Sequence, residues 1–299
     1  MTMTLTDAAP TPPSVIERSR FLVAAGLIAY GLHVVAGFTG LNAGWNHPAV
    51  LLAGGAAGIV GSIALVAVLF VGSIVAKLIA GRSDFSSLFA LVGTALAFWA
   101  APGGTMDDWL KRFHVNAGPP SGGAYSALLP DYLLLAGLLL GLLAILGQGS
   151  GAVARLRAGL GMDRDAATTQ KHVLALIVCV LAAMVLLLIL NGPKIAHTYR
   201  GQVFLAVFLS LAGGVYAANW VTGVRSFAAY WPAPIIAGVL GLIVAAARPG
   251  LPPPYDQVNI IPAWNAARPL PIEMVALGLL GVHWMVRTMN RGHHAESQP

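Results

Sequence analysis

The sequence predicts an all-α fold, a polytopic membrane bundle of about eight transmembrane helices. Three observations predict it. Of 299 residues, 57% are hydrophobic and only 9% are charged, whereas a soluble domain carries roughly 25% charged residues. The apolar residues fall in long runs, and about 20 such residues cross a bilayer core as a helix. No run holds an acidic or basic residue at its centre, where each would cost roughly 2.5–3.5 kcal/mol.

Residues 1–20 read as a disordered cytoplasmic tail with Pro10, Pro12 and Pro13, ending in Arg18 and Arg20. The first span covers 21–39. Small residues follow it at Asn42-Ala43-Gly44, as after a signal peptide, but the further spans make it an uncleaved anchor. The second run, 49–79, is longer than one upright helix needs. Gly54, Gly58 and Ser62 lie four apart in it and make a small-residue face suited to close packing. The third span is 86–102, the fourth 132–148, the fifth 173–191. The sixth, 202–221, contains Asn219. The seventh is 232–247 and the eighth 271–288, with Pro271 suited to a first helical position and Glu273 to the first turn. Residues 289–299 form a polar tail. The transmembrane domain is thus 21–288, interrupted by two long loops, 103–131 and 248–271.

An even number of spans puts both termini on one side. Of the Lys and Arg residues, eleven fall on that side and six on the other. The positive-inside rule places both termini in the cytoplasm and both long loops outside. A bacterial inner membrane is the expected location. Long loops after the third and seventh spans also suggest a 4+4 repeat. Pro130-Asp131-Tyr132-Leu133-Leu134 and Pro271-Ile272-Glu273-Met274-Val275 open corresponding spans.

The topology sorts the scarce ionisable groups. Asp107, Asp108, Asp131, Asp256 and Glu273 fall outside, with His47, His114 and His197. Such side chains bind divalent metals or move protons, so Asp107, Asp108, His114, Asp131, Glu273, His47 and His197 are the candidate metal site. The plainer alternative is helix capping for Asp131 and Glu273. For 106–114 it is an amphipathic turn, with Trp109 and Phe113 on the membrane interface and an Asp108–Arg112 pair.

His33 and His283 lie within spans. Their depths differ by roughly 10 Å at about 1.5 Å per residue, which argues against a shared haem, so each is expected as a hydrogen-bonded interior histidine. The tryptophans are expected in aromatic belts: Trp45, Trp99, Trp109 and Trp264 on one side, Trp220, Trp231 and Trp284 on the other. The single cysteine, Cys179, lies inside an apolar run. No phosphate loop, nucleophile elbow, zinc-protease motif or nucleic-acid module is present.

Asp107-Asp108-Trp109 through His114, then Pro119-Pro120 and Pro130-Asp131-Tyr132, resembles an outer-loop pattern of bacterial polytopic proteins. In that pattern an Asp precedes Trp-His, and Pro-Pro-His opens the next helix. It is similar in turn to the copper-binding Asp/His/His set in the third subunit of particulate methane and ammonia monooxygenases. The likeness covers about thirty residues. Lys111 stands near where the first His of the pattern would be, and Asp131 where the last would be. The resemblance implies a copper or other divalent ion in an altered ligand set. Function therefore stays open among three classes. One is a membrane-enzyme or membrane-complex subunit binding a metal or small ligand outside. The second is a transporter or channel with a cavity near Gly54–Gly61 or Asn219. The third is a structural subunit. The expected partners are the lipid bilayer and other membrane subunits or further copies of the chain, and no nucleic acid.

Overall fold

The computed structural model describes residues 15–39, 50–54, 56–80, 85–117, 122–146, 151–161, 166–191, 200–248 and 264–296. All the regular elements among them are helices. The long ones are α1 (Val15–Thr39), α2 (Ala56–Ala80), α3 (Phe85–Ala100), α6 (Leu129–Leu146), α8 (Ala166–Leu190), α9 (Arg200–Thr222), α11 (Ala233–Ala247) and α12 (Pro271–Glu296). Four shorter helices lie between them: α4 (Met106–Ala117), α5 (Gly122–Ser126), α7 (Ala152–Gly159) and α10 (Phe227–Tyr230). By length and apolar composition, six segments can cross a membrane, and α1 and α3 carry shorter apolar stretches at Ser19–Val35 and Ser86–Ala100. The protein is a helical bundle of multi-pass membrane type.

Several boundaries differ from expectation. Residues 15–20 are helical, and α12 runs on through Glu296, so the tails are shorter than their polarity suggests. The long second run is broken. Leu52–Gly54 form a single 3-10 turn, and α2 begins only at Ala56. The break packs tightly: a Cβ on Gly58 would collide with the Leu51 carbonyl oxygen. Ser62 answers the same turn by donating its hydroxyl to Gly58 O at 2.6 Å. α9 stops at Gly223, whose φ of 70° is the left-handed conformation that ends helices, with its N–H donating to Asn219 O at 2.8 Å.

α12 is the central helix. It packs against α3, α6, α9 and α11, and its first half is almost wholly buried. Glycines make the approach close. A Cβ on Gly93 would press on Ala276 O, and one on Gly281 would collide with Phe208 O. Lipid-like surfaces lie on the outside of α1, α2, α8 and α9, where Leu22, Ile63, Leu181 and Leu205 are exposed. Trp220 and Trp284 are exposed, as belt residues should be, but Trp99, Trp109 and Trp231 are buried. Each of the last two uses its indole N–H within the protein, Trp109 to Ala124 O and Trp231 to Gly159 O, so packing rather than an interface holds them.

Candidate functional site

α2, α6, α9 and α12 all begin at one end of the bundle, and the scarce charges gather there. Asp131 stands in the first turn of α6 and is fully buried. Its carboxylate does not serve its own helix. Oδ2 accepts the Leu51 N–H at 2.7 Å, and Oδ1 accepts those of Leu52 at 2.8 Å and Ala53 at 3.3 Å. These amides open the 3-10 turn that precedes α2 and would otherwise be donors without partners. A carboxylate is the strongest acceptor available to them. The helix break in the second run and Asp131 are therefore one construction.

The 103–131 stretch is folded rather than a solvated turn. Asp108 ties down the start of α4: its Oδ2 accepts the Thr105 N–H at 2.7 Å, one half of a capping box, and the Thr105 hydroxyl at 3.1 Å. Asp108 is committed there. Met106, Trp109, Leu110, Tyr125 and Leu128 are buried, so the stretch covers the ends of the long helices.

Glu273 is buried in the first turn of α12. Its Oε2 accepts the Leu270 N–H at 2.9 Å. Its Oε1 lies 3.6 Å from Arg200 Nε, an ion pair with α9. Arg200 also donates through Nη1 to Ala101 O and through Nη2 to Gly104 O. One guanidinium thus ties the starts of α9 and α12 to the end of α3.

Two further buried charges complete the cluster. Asp107 on α4 is 5% exposed, and Arg268, just before α12, is 3% exposed. Asp107 lies within electrostatic reach of Arg268, Glu273 and Tyr125. Burial pushes the Arg268 guanidinium below its ordinary pKa, and Asp107 pulls it back up. Arg268 Nε, Trp264 Nε1 and Asn191 Oδ1 are among the buried side-chain atoms with no hydrogen-bond partner, as are Arg200 Nε, Ser73 Oγ, Ser210 Oγ and Asn219 Oδ1 elsewhere among the described residues. Two of them belong to one turn, and the third is hydrogen-bonded to it. Trp264 and Arg268 flank the 3-10 turn Asn265–Ala267, and Asn191 Nδ2 donates to Asn265 O at 3.3 Å. An unmatched buried donor costs about 1–3 kcal/mol, more when charged.

Of the seven residues expected to form a site, the structure brings Asp107 and Glu273 within mutual reach and assigns Asp108 and Asp131 to capping. His47 and His197 lie outside the described residues, as does the His114 side chain. Among the described residues, no three His, Cys, Asp or Glu side chains gather as a metal set. His33 is a correction: it lies on the exposed face of α1, not in the interior. His283 is half-buried, with its ring 6.4 Å from that of Phe227. Sequence reasoning missed Arg200 and Arg268. Their signal was position, since arginines flanking spans on the side poor in basic residues run against the topological preference.

The chain matches no family model, no curated protein and no solved structure.

Proposed function

We propose that the chain crosses a bacterial inner membrane eight times, with both termini cytoplasmic and the charged cluster on the extracytoplasmic face. There it binds a small ligand carrying an acidic oxygen, as a subunit of a membrane enzyme or membrane complex. The topology is supported by the eight long helices, two with shorter apolar stretches, and by the Lys/Arg asymmetry. A 4+4 repeat is supported by like pairings: α1 with α2 and α8 with α9, α1 with α3 and α8 with α11. The acid opening the fourth span reaches the start of the second, and Glu273 reaches Arg200 at the start of the sixth.

The ligand site rests on one observation, the buried Arg268 Nε without a protein partner. Asp107 offsets the charge in part, but a buried N–H still costs energy unless something accepts from it. Trp264 Nε1 is a second donor in the same turn, and Asn191 Oδ1 is an acceptor. A carboxylate or phosphate can accept from either donor, and a hydroxyl or amine can donate to the acceptor. A metal ion is the less supported form, because Asp131 and Glu273 already accept from protein donors. It would need Asp107 together with the histidines. Transport through the helix break is also less supported, since Asp131 occupies the amides an anionic substrate would use.

The test is thermal unfolding of the protein in lipid nanodiscs with phosphate, acetate, succinate, zinc or copper added singly. An anion is expected to raise the midpoint of the wild type and not that of Arg268→Met. No shift with any of the anions would count against the site. A shift with metal alone, retained in Arg268→Met, would transfer support to the metal form.

A further inference from the structure

A second site lies on the opposite kind of surface and is independent of the ligand reading. One face of α1 carries Ser19, Leu22, Gly26, Tyr30 and His33, all exposed. They are spaced three or four residues apart, so they form one stripe along the helix. The other face, Ala25, Ile28 and Leu32, is buried in the bundle. Tyr30 is 69% exposed, and His33 is exposed one turn further on. Both lie within the apolar stretch Ser19–Val35.

This inference rests on the eight-span reading: with α1 in the bilayer, a hydroxyl and an imidazole on its outer face have no acceptor or donor in lipid tails. An isolated helix face meant only for lipid would carry leucine or valine there, as the outside of α8 does. Gly26 lies on the same stripe and, like Gly137 and Gly201, is open to added volume. A Cβ built on it meets no atom within 4 Å, so the glycine serves no contact inside the described chain. Beside the stripe, α1 and α2 enclose an apolar groove of about 380 Å³ lined by Ala24, Leu27, Ile28, Val68, Val71 and Gly72.

We propose that this face of α1 is the contact between two copies of the chain. The commitment to a second copy comes from self-complementarity. A tyrosine hydroxyl donates and a neutral imidazole nitrogen accepts. The two side chains sit one turn apart on the same stripe. A two-fold axis along the membrane normal pairs α1 with its equal, so Tyr30 of each copy meets His33 of the other. Such an interface is isologous and closed. Gly26, one turn before Tyr30, lets the two backbones approach as small residues do in membrane helix pairs. The groove beside it receives the aliphatic side chains that flank the stripe.

Gly26→Ile tests this cleanly, because a side chain at that position has free space in the single copy. The wild type in nanodiscs, labelled once per chain, is expected to bleach in two steps. Gly26→Ile is expected to bleach in one, with an unchanged thermal unfolding midpoint. Tyr30→Phe combined with His33→Leu should weaken the dimer roughly tenfold or more. Gly26→Cys should cross-link on oxidation, because helices that touch at glycine bring the Cα atoms within disulfide reach. A single bleaching step for the wild type, with no cross-link, would overturn the proposal and leave the stripe to a different membrane partner. A Gly26→Ile protein that stays dimeric would overturn it as well.

Discussion

Asp131 Oδ2 accepts the backbone N–H of Leu51 at 2.7 Å, across eighty residues of chain. With Leu52 and Ala53 on the other oxygen, one side chain completes the 3-10 turn that leads into a helix far away from it in the chain. The carboxylate is held because three donors converge on it, and the donors are tolerated in a buried place because the carboxylate is there. Neither survives alone at low cost. Asp131→Ala leaves three amides unmatched, at about 1–3 kcal/mol for each buried donor. Asp131→Asn keeps one acceptor oxygen and turns the other toward an amide as a donor. Unfolding in detergent is expected to rank wild type above Asn and Asn above Ala. A wild-type midpoint for Asp131→Ala would contradict the capping role.

Gly58 faces the same turn from the α2 side. A Cβ there would collide with Leu51 O, and the atom in the way is backbone, which cannot swing aside. Gly58→Val is therefore expected to destabilise by about 1–3 kcal/mol, the usual penalty for overpacking. Gly137 and Gly201, where a Cβ meets nothing within 4 Å, are the controls. Gly137→Ala and Gly201→Ala should leave the unfolding midpoint near that of the wild type.

Arg200 and Glu273 form the second fastening of this end of the bundle. The guanidinium holds Glu273 and two carbonyls of the α3 terminus at once. Arg200→Lys keeps the charge and loses the fork, so it should behave nearly as Arg200→Ala does. A double-mutant cycle of Arg200→Ala with Glu273→Gln should give a coupling of about 0.5–3 kcal/mol. Additive losses would mean that the two residues act separately.

Much of the bundle was legible in the sequence. Apolar runs of the right length place the long helices, because in lipid the backbone leaves few other solutions. Pro271 and Glu273 mark the start of α12 as composition suggests. What stayed hidden depends on distance in the chain. Asp131 reads as a cap for α6, since nothing local says that its acceptors belong to Leu51, Leu52 and Ala53. Trp109 reads as an interface anchor because its real partner, Ala124 O, lies across a turn. Arg268 reads as a loop charge. Only the folded chain buries it within electrostatic reach of Asp107. His33 reads as interior because histidines in membranes usually are, and the bundle turns it outward instead.

Sidedness has its own check. In a Cys179→Ala background, Arg112→Cys on α4 and Arg157→Cys on α7 place exposed thiols at the two ends. A maleimide that cannot cross membranes should label the first in intact cells and the second only after permeabilisation. The reverse pattern would invert the topology and put the charged cluster in the cytoplasm.

The most direct test of the central claim, that Arg268 awaits a ligand, uses no ligand at all. Asp107 is the buried counter-charge of Arg268, so the two are neutralised together, which removes a cost rather than a contact if the Nε–H has no protein partner. The measurement is the thermal unfolding midpoint of the Asp107→Asn, Arg268→Met double variant against wild type in nanodiscs free of added anions. The expected result is a midpoint equal to or above that of the wild type. A clear fall would show that Arg268 holds the fold together, as Arg200 does, and would contradict a site built around it.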